Sequence, residues 1–402
     1  PQREGAGIAL FLRCPVGSIM ETHCTLCDLA APSPAGEQPQ AGLSVCVSCV
    51  TELRGLKERV RSLEQQVECL TQAVGELRGE PSLGPARDQS PELTGLIAVG
   101  FDDGSVGMVN LETGTMEKCI SEAHADAVSC VVAVEGGLLL TASDDGTLAL
   151  WEAASGERRG LMEHCPERNI LEGRSVLTAT SLQDGRLASG AEDHLVKLWS
   201  PQGEFLFALQ GHSGAVYHVH SYTAVESSSA STLVTCSADS SVRLWKIHQG
   251  AGTCTHVLKG HTAAVYCATV CGGDLASTPW LVSASHDETL RLWRLIDGVC
   301  LATLTGHLGP VLAVAGVKGS YTAISSSADC TLRVWCLSSR ACTRVLEGHA
   351  DPVRGITLSV DKGCLVSCSD DATLRVWSLS GDCLRTIACS SMPCSGALLT
   401  CV

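Results

Sequence analysis

The sequence predicts an all-β fold made of seven copies of one supersecondary unit, and two observations carry this prediction. An Asp recurs in seven turn-forming stretches, and in six of them a Trp follows six residues later. The last positions of successive copies are 42 to 48 residues apart, and self-similarity at such a period indicates a repeat architecture. The recurring residues are Asp103, Asp145, Asp193, Asp239, Asp287, Asp329 and Asp371.

Each copy is predicted to contain four short strands. The stretch 283–293 shows the central part most clearly, with a strand, a tight turn at Asp287 and a second strand that ends in Trp293. Val, Leu and Ile alternate with polar residues along these strands, which is the period of a half-buried sheet. One such sheet cannot bury both of its faces, whereas a ring of sheets can, and a ring leaves few exposed edges.

Three further positions recur in six copies. A His precedes the Asp: His124, His164, His212, His261, His307 and His349. A hydroxyl lies four residues before the Asp: Thr141, Ser189, Thr235, Ser283, Ser325 and Ser367. The copies end at Trp151, Trp199, Trp245, Trp293, Trp335 and Trp377, whereas the first copy ends at Val109.

With Gly before His in four copies, this pattern resembles the WD-repeat family over residues 95–402. The resemblance implies a seven-bladed WD-repeat β-propeller. It also implies that the His, hydroxyl, Asp and Trp of each blade form one hydrogen-bonded line, a structural tetrad. The chain departs from the family at the acid that usually follows the Trp, which is present only as Glu152.

A catalytic interpretation of these residues is less favoured. Ser283, His261 and Asp287 are the three residue types of a hydrolase triad. An active site needs one constellation, however, and this chain repeats the set six times, each ending on a Trp. We therefore predict no catalytic residues and a protein that is not an enzyme.

The segment 20–50 is predicted to bind one structural zinc ion through Cys24, Cys27, Cys46 and Cys49. Two Cys-x-x-Cys pairs close a tetrahedral site, and the Pro- and Gly-rich loop between them would need a metal to become ordered. The alternative is four free cysteines in a disordered arm. One site falls short of the eight ligands of a RING module. Residues 1–19 are predicted to be disordered or non-native.

Residues 51–79 are predicted to form a coiled coil. From Leu53 to Leu77 apolar residues are spaced alternately by three and four positions, with Val at three a positions and Leu at every d position. This combination favours a parallel dimer, so we expect a homodimer through residues 53–77. The alternative is a single amphipathic helix packed on the propeller. Residues 80–94 are predicted to be a flexible linker, because prolines and glycines interrupt the helix.

The two ends of the repeat region are predicted to complete each other. Residues 96–100 resemble the second strand of a blade, but no innermost strand precedes them, whereas residues 396–402 resemble the start of another repeat. We therefore expect the C-terminal segment to supply the innermost strand of the first blade.

Composition narrows the partner classes and the compartment. The formal net charge of −15 argues against a nucleic-acid backbone as partner, and no apolar run approaches the length of a membrane-spanning helix. The 23 cysteines lack the spacing of a disulfide framework, and most occupy positions of small buried residues. This pattern favours a reducing compartment, the cytoplasm, with the nucleus as an alternative.

A partner is predicted to bind the face that carries the Asp turns. Candidate contact residues precede the Asp of a turn or follow the His by five positions: Asp102, Asp144, Glu192, His286, Asp370, Tyr217, Tyr266, Leu312 and Arg354. Tyr is enriched in interfaces, although these rings could instead fill the propeller channel. Loop insertions at residues 226–231 and 272–280 make the opposite face a second candidate, with Trp280 either a contact residue or a lid over the sheet edge.

Two function classes fit the sequence. The first is a non-catalytic interaction scaffold that is dimerised by the coiled coil and presents its propellers to a peptide or protein, with a basic segment favoured. The alternative is a substrate-recruiting component of a ubiquitin ligase, because the order of zinc module, coiled coil and repeats is similar to RING-type ligases with WD repeats. The single zinc site and the absence of Trp-Asp-x-Arg count against this alternative.

Overall fold

The computed structural model describes residues 95–164, 175–222, 231–272, 279–317, 320–359, 363–389 and 400–401. The predicted zinc-binding segment, coiled coil and linker, and residues 1–19, lie outside the described residues and stay predictions. In the described part, the chain forms seven four-stranded antiparallel sheets and no helix, which confirms the all-β, seven-bladed propeller. None of the described residues forms a helix that could span a membrane.

The blades are numbered from 1, which carries Asp103, to 7, which carries Asp371. Blade 1 contains β1 (Leu96–Gly100), β2 (Val106–Asn110) and β3 (Met116–Ile120), joined by β28 (Thr400–Cys401). Blade 2 contains β4 (Val128–Val134), β5 (Leu138–Ser143), β6 (Thr147–Glu152) and β7 (Arg158–Glu163). Blade 3 contains β8 (Val176–Ser181), β9 (Leu187–Ala191), β10 (Val196–Trp199) and β11 (Phe205–Leu209).

The remaining four blades follow the same order from the inner to the outer strand. Blade 4 contains β12 (Val216–Tyr222), β13 (Ser231–Ser237), β14 (Ser241–Ile247) and β15 (Gly252–Lys259). Blade 5 contains β16 (Val265–Cys271), β17 (Trp280–Ser285), β18 (Leu290–Arg294) and β19 (Val299–Leu304). Blade 6 contains β20 (Val311–Gly316), β21 (Thr322–Ser327), β22 (Leu332–Cys336) and β23 (Ala341–Leu346). Blade 7 contains β24 (Val353–Ser359), β25 (Cys364–Ser369), β26 (Thr373–Ser378) and β27 (Cys383–Ala388).

The ring is closed by the C-terminal segment, as the sequence predicts. Strand β28 pairs antiparallel with β1, with Ile97 opposite Cys401 and Ala98 opposite Thr400. It also contacts β24 of blade 7 and β4 of blade 2, so it occupies the inner position between them. The inner edge of blade 1 is therefore paired, although it lies about 300 residues from its partner in the sequence.

The hydrophobic core consists of separate layers between neighbouring blades. In six of the seven layers found in the described residues, the Trp of one blade packs against the middle strands of the preceding blade; Trp335, for example, packs with Leu290 and Leu292. The layer between blades 7 and 1 has Val109 at the Trp position, and buried Phe101 supplies an aromatic ring there. Each blade thus depends on both neighbours for burial.

Candidate partner-binding face

Four blades contain the same hydrogen-bonded line between the Asp turn and the sheet. In blade 5, Nδ1 of His261 donates to Oδ2 of Asp287 at 2.8 Å, and Nε2 accepts from Oγ of Ser283 at 2.8 Å. The indole N–H of Trp293 donates to the same Oγ at 2.8 Å. The equivalent distances in blades 4, 6 and 7 are 2.7 to 2.9 Å. Both imidazole nitrogens are thereby satisfied inside the sheet.

Blades 1 to 3 depart from this line. In blade 2, Nδ1 of His124 is 3.3 Å from Oδ2 of Asp145, a looser contact than in blades 4 to 7. In blade 3 the ring is reversed: Nδ1 of His164 lies 2.8 Å from Ser189, and buried Nε2 forms no hydrogen bond within the described ranges and lies 3.4 Å from Asp193. Blade 1 has no His, and within the described part of the chain Asp103 accepts from the amide and hydroxyl of Ser105. The six tetrads that the resemblance implies are therefore not equivalent.

In the complete tetrads of blades 4 to 7, the pKa values of the two side chains favour an ionised Asp beside a neutral His. Burial raises the pKa of Asp287, but hydrogen bonds from Thr289 and His261 outweigh burial and lower that pKa to about 2. Burial lowers the pKa of His261 below its ordinary value, although Asp287 partly offsets this effect. A buried, neutral imidazole with both nitrogens bonded has no nitrogen free for a substrate, so the tetrad fits a structural role.

Hydrogen bonds hold the Asp turns against the loops that lead into the inner strands. In five blades a Ser two residues before the Asp accepts from the Asp amide and donates to a carbonyl of that loop; Ser285, for example, bridges Asp287 and Ala264. The amide before the Asp makes a further bond to the loop, as from His286 to Ala264 at 2.9 Å. Turns and loops together form one surface, here called the Asp-turn face.

In blades 2 to 7 the register shifts near the start of the inner strand, and this β-bulge presents one side chain of each of these blades on the Asp-turn face. The register shifts directly around Tyr217, Tyr266, Leu312 and Arg354, and these residues are half-buried or exposed. A bulge leaves its extra residue outside the ladder and re-aims its side chain. Because the residue before the Asp pairs with the loop immediately beside the bulge, the two predicted contact positions of a blade become neighbours.

The aromatic side of the face lies on blades 4 and 5. The rings of Tyr217 and Tyr266 are 5.1 Å apart between centroids and tilted by 58°. The hydroxyl of Tyr266 lies 3.0 Å from Nδ1 of His286, and His286 is exposed. Burial, followed by the charge of Tyr217, raises the pKa of Tyr266. Three predicted contact residues therefore form one aromatic cluster.

The acidic side lies on blades 1 to 3. Burial, together with the negative charge of Asp370, raises the pKa of Asp102 above its ordinary value. Burial and then the charge of Asp126 raise the pKa of Asp144, with smaller effects from Glu192 and Asp102. A cation placed among these carboxylates would reduce their mutual repulsion and stabilise their ionised forms.

Two features of the face were missed by sequence reasoning. Arg354 and Asp370 form a bidentate ion pair, with N–O distances of 2.8 to 2.9 Å, so the acid of blade 7 is already neutralised by its own blade. Leu308 directly follows His307 and is 84% exposed, and its amide donates to Asp329 of the turn. Its position two residues before Pro310, which directly precedes inner strand β20, gave no separate signal in the sequence. Leu308 and Leu312 add apolar side chains to the Asp-turn face on blade 6.

The other candidate sites are less well defined. On the opposite face, Trp280 packs on Tyr321 with ring centroids 4.6 Å apart, and most of the two loop insertions lies outside the described residues. Within the described ranges, no group of three or more metal-ligating side chains could hold a metal ion. The four predicted zinc ligands lie in residues that the structure does not describe.

Comparisons with known proteins identify the repeat. A family model described as "WD domain, G-beta repeat" matches five segments that together make up half of the chain: residues 117–152, 203–246, 252–294, 298–336 and 340–378. Among solved structures, the "WD40 beta propeller domain of Doa1" matches with a TM-score of 0.54 and 24% identity, over 65% of this chain and 82% of that chain. This likeness shows the fold alone.

This chain covers only a small part of the length of each curated relative that it matches. Cell division control protein 4 of Saccharomyces cerevisiae is 35% identical over 108 residues, which are 26% of this chain and 13% of that protein. F-box/WD repeat-containing protein sel-10 of Caenorhabditis elegans is 39% identical over 83 residues, 20% of this chain and 13% of that protein. Telomerase protein component 1 of Mus musculus is 36% identical over 161 residues, 37% of this chain and 6% of that protein.

Proposed function

The chain belongs to the WD domain, G-beta repeat family, and from this premise we propose that it is a non-catalytic scaffold whose Asp-turn face binds a peptide or protein. One observation carries the proposal: the face is divided into an aromatic and apolar side on blades 4 to 6 and an acidic side on blades 1 to 3. Rigid aromatic anchors next to a charged region are typical of recognition surfaces.

The favoured partner is a segment with Lys or Arg at one end and an apolar or aromatic residue at the other. A cation would relieve the repulsion among Asp102, Asp144 and Glu192, while an apolar side chain would pack on Tyr217 and Tyr266. The acids would govern mainly the association rate and its salt dependence, and the tyrosines the residence time. Asp370 would contribute less, because Arg354 already pairs with it.

Dimerisation is part of the proposal. A parallel coiled coil through residues 53–77 would carry two propellers on linkers, so that a target with two copies of the segment binds both. The second binding event is then intramolecular, and the overall affinity exceeds that of one propeller.

A second candidate function is recruitment of substrates to a ubiquitin ligase. It rests on the order of a cysteine-pair segment, a heptad segment and a propeller, and on a relative whose name combines F-box with WD repeats. Ubiquitin transfer to a captured partner, lost when Cys46→Ser is introduced, would favour this function over the simple scaffold.

The scaffold proposal is tested by selecting binders of the full chain from a random peptide library. We expect the selected peptides to combine Lys or Arg with an apolar anchor. Tyr217→Ala with Tyr266→Ala should shorten the residence time, and Asp102→Lys with Asp144→Lys should slow association, whereas Trp280→Ala on the opposite face is the matched control. Loss of binding only in Trp280→Ala would assign the working surface to the opposite face.

A further inference from the structure

The exposure of the described thiols of the propeller depends on their position in the blade. Cysteines on inner and second strands are buried, and burial raises the pKa of Cys130 and Cys267 to about 11 and that of Cys271 to about 12. Cysteines on the outer strands are accessible instead; Cys254, Cys300 and Cys383 are all exposed. Among the described cysteines, Cys330, Cys336 and Cys342 are half-buried, and the fully exposed ones all lie on outer strands.

Each of these three exposed thiols lies beside an arginine in the same arrangement. The cysteine stands opposite the Trp of its blade, and the arginine lies two residues before that Trp. The Nη1 atoms of Arg243, Arg291 and Arg375 donate to the sulfurs of Cys254, Cys300 and Cys383 at 3.9, 3.7 and 3.8 Å. Each sulfur in turn lies 3.5 or 3.6 Å from the carbonyl oxygen two residues later.

The arginines are held in place by packing. A Cβ atom added to Gly211, the residue before His212, would come within 2.7 Å of Nη1 of Arg243 and 3.2 Å of Trp245. Gly260 and Gly348 bear the same relation to Arg291 and Arg375. The guanidinium therefore fills the space that the missing side chain leaves, and it is kept against the Trp and next to the thiol.

We propose that Cys254, Cys300 and Cys383 are thiol–disulfide exchange sites for small disulfides that carry carboxylates. The thiol first loses its proton to solvent, and the thiolate attacks one sulfur of the disulfide. The S–S bond of the reagent breaks, a mixed disulfide with the protein forms, and the other half leaves as a thiolate with the electron pair. The disulfide is the oxidant, and excess thiol reverses the step.

The fixed guanidinium assists this exchange in two ways. Its positive charge stabilises the negative charge on the attacking sulfur, because the thiolate is the nucleophile. Its planar donors also suit a carboxylate of the incoming reagent. Carboxylated disulfides should therefore react faster than neutral ones of similar size.

The test uses the reduced full chain, treated with glutathione disulfide and followed by site-resolved mass spectrometry. Cys119 is the internal control, since it is exposed on outer strand β3 of blade 1 and has no hydrogen-bond partner in the described part of the chain. We expect the three sites to be modified about three- to fivefold faster than Cys119, the scale of an exposed charge interaction. The neutral 2-hydroxyethyl disulfide should narrow the difference.

Substitution of the arginine separates its effect on the modification rate from the effect of thiol exposure. Arg291→Gln should slow modification of Cys300 to the rate of Cys119 and leave Cys254 and Cys383 unchanged, and these two sites report in the same sample that the propeller is folded. Arg291→Lys, which keeps the charge but not the planar donors, should give an intermediate rate. Modification of Cys119 as fast as the three sites, or an unchanged Cys300 rate in Arg291→Gln, would overturn the proposal.

Discussion

Replacing Asp287 with Ala removes the carboxylate at the centre of the blade 5 turn. Its oxygens accept from Nδ1 of His261 at 2.8 Å, from the amide of Thr262 at 3.0 Å, and from the amide and hydroxyl of Thr289 at 3.1 and 2.7 Å. After the change, the imidazole N–H remains inside the sheet without its acceptor, whereas the Thr262 amide is exposed and can bond to water.

The magnitude follows from the titration of the carboxyl. Its pKa is about 2 in the fold against an ordinary 3.8, and its side chain is only 8% exposed. At 1.36 kcal/mol per pKa unit the shift corresponds to about 2 kcal/mol of stability at neutral pH. With the imidazole left unpaired, we expect Asp287→Ala to lower the free energy of unfolding by about 2–3 kcal/mol.

The pH dependence gives the same experiment a second readout. A depressed carboxyl pKa contributes stability that is fully present above the unfolded value near 3.8 and is lost as pH falls through about 2. The difference between wild type and Asp287→Ala, measured by denaturant unfolding, should therefore be constant from pH 7 to about 5 and shrink below about 4.

The matched control is Asp103→Ala in blade 1. Asp103 stands at the same repeat position but is exposed, and among the residues that the structure describes its hydrogen bonds come from the amide and hydroxyl of Ser105. We expect this variant to lose less than about 1 kcal/mol. An equal loss in the two variants, or an Asp287→Ala variant that keeps wild-type stability but loses partner binding, would refute the structural interpretation of the tetrad.

Three further predictions concern the ring, the metal and the glycine before the His. Deleting residues 396–402 should lower the thermal midpoint and promote aggregation, because β1 becomes an unpaired edge; an unchanged midpoint would contradict closure by β28. Metal analysis of the full chain should give one zinc ion per chain, lost in Cys46→Ser, whereas two ions would favour a RING-like module. Gly211→Ala should cost about 1–3 kcal/mol in denaturant unfolding by crowding Arg243, and this cost should fall in the Arg243→Ala background; equal costs in both backgrounds would exclude the contact.

The fold was predictable because its main determinants are periodic. The spacing of the Asp and Trp positions gave seven units, and the missing inner strand before Leu96 indicated where the C-terminal segment must pair. Both inferences depend only on the order of strands along the chain, which a repeat displays directly.

Contacts between different positions of the repeat were not predictable in the same way. The sequence shows His164 at the expected place, but not that its ring is reversed, with Lys197 lying 3.5 Å from Asp193. It shows Asp370 as one more acid, but not its ion pair with Arg354 across the bulge. The repeat period predicts the backbone position of each residue. The contacts of its side chain depend on its rotamer and on the neighbouring strand.

The Asp turns explain how the same propeller backbone can present different side chains on its surface. In each of the seven turns the residue after the Asp has a left-handed φ; it is Gly in blades 1 and 2 and a residue with a side chain in the other five, with φ from 58° to 67°. Such a residue costs about 1–2 kcal/mol without compensation. In blades 4 to 7 the Asp offsets this cost by accepting bonds from the His, the loop and the hydroxyl two residues later. Because these bonds fix the backbone whatever side chain precedes the Asp, that position is free to be acidic in blade 7, aromatic in blade 5 or small in blade 6, and recognition can vary while the propeller stays the same.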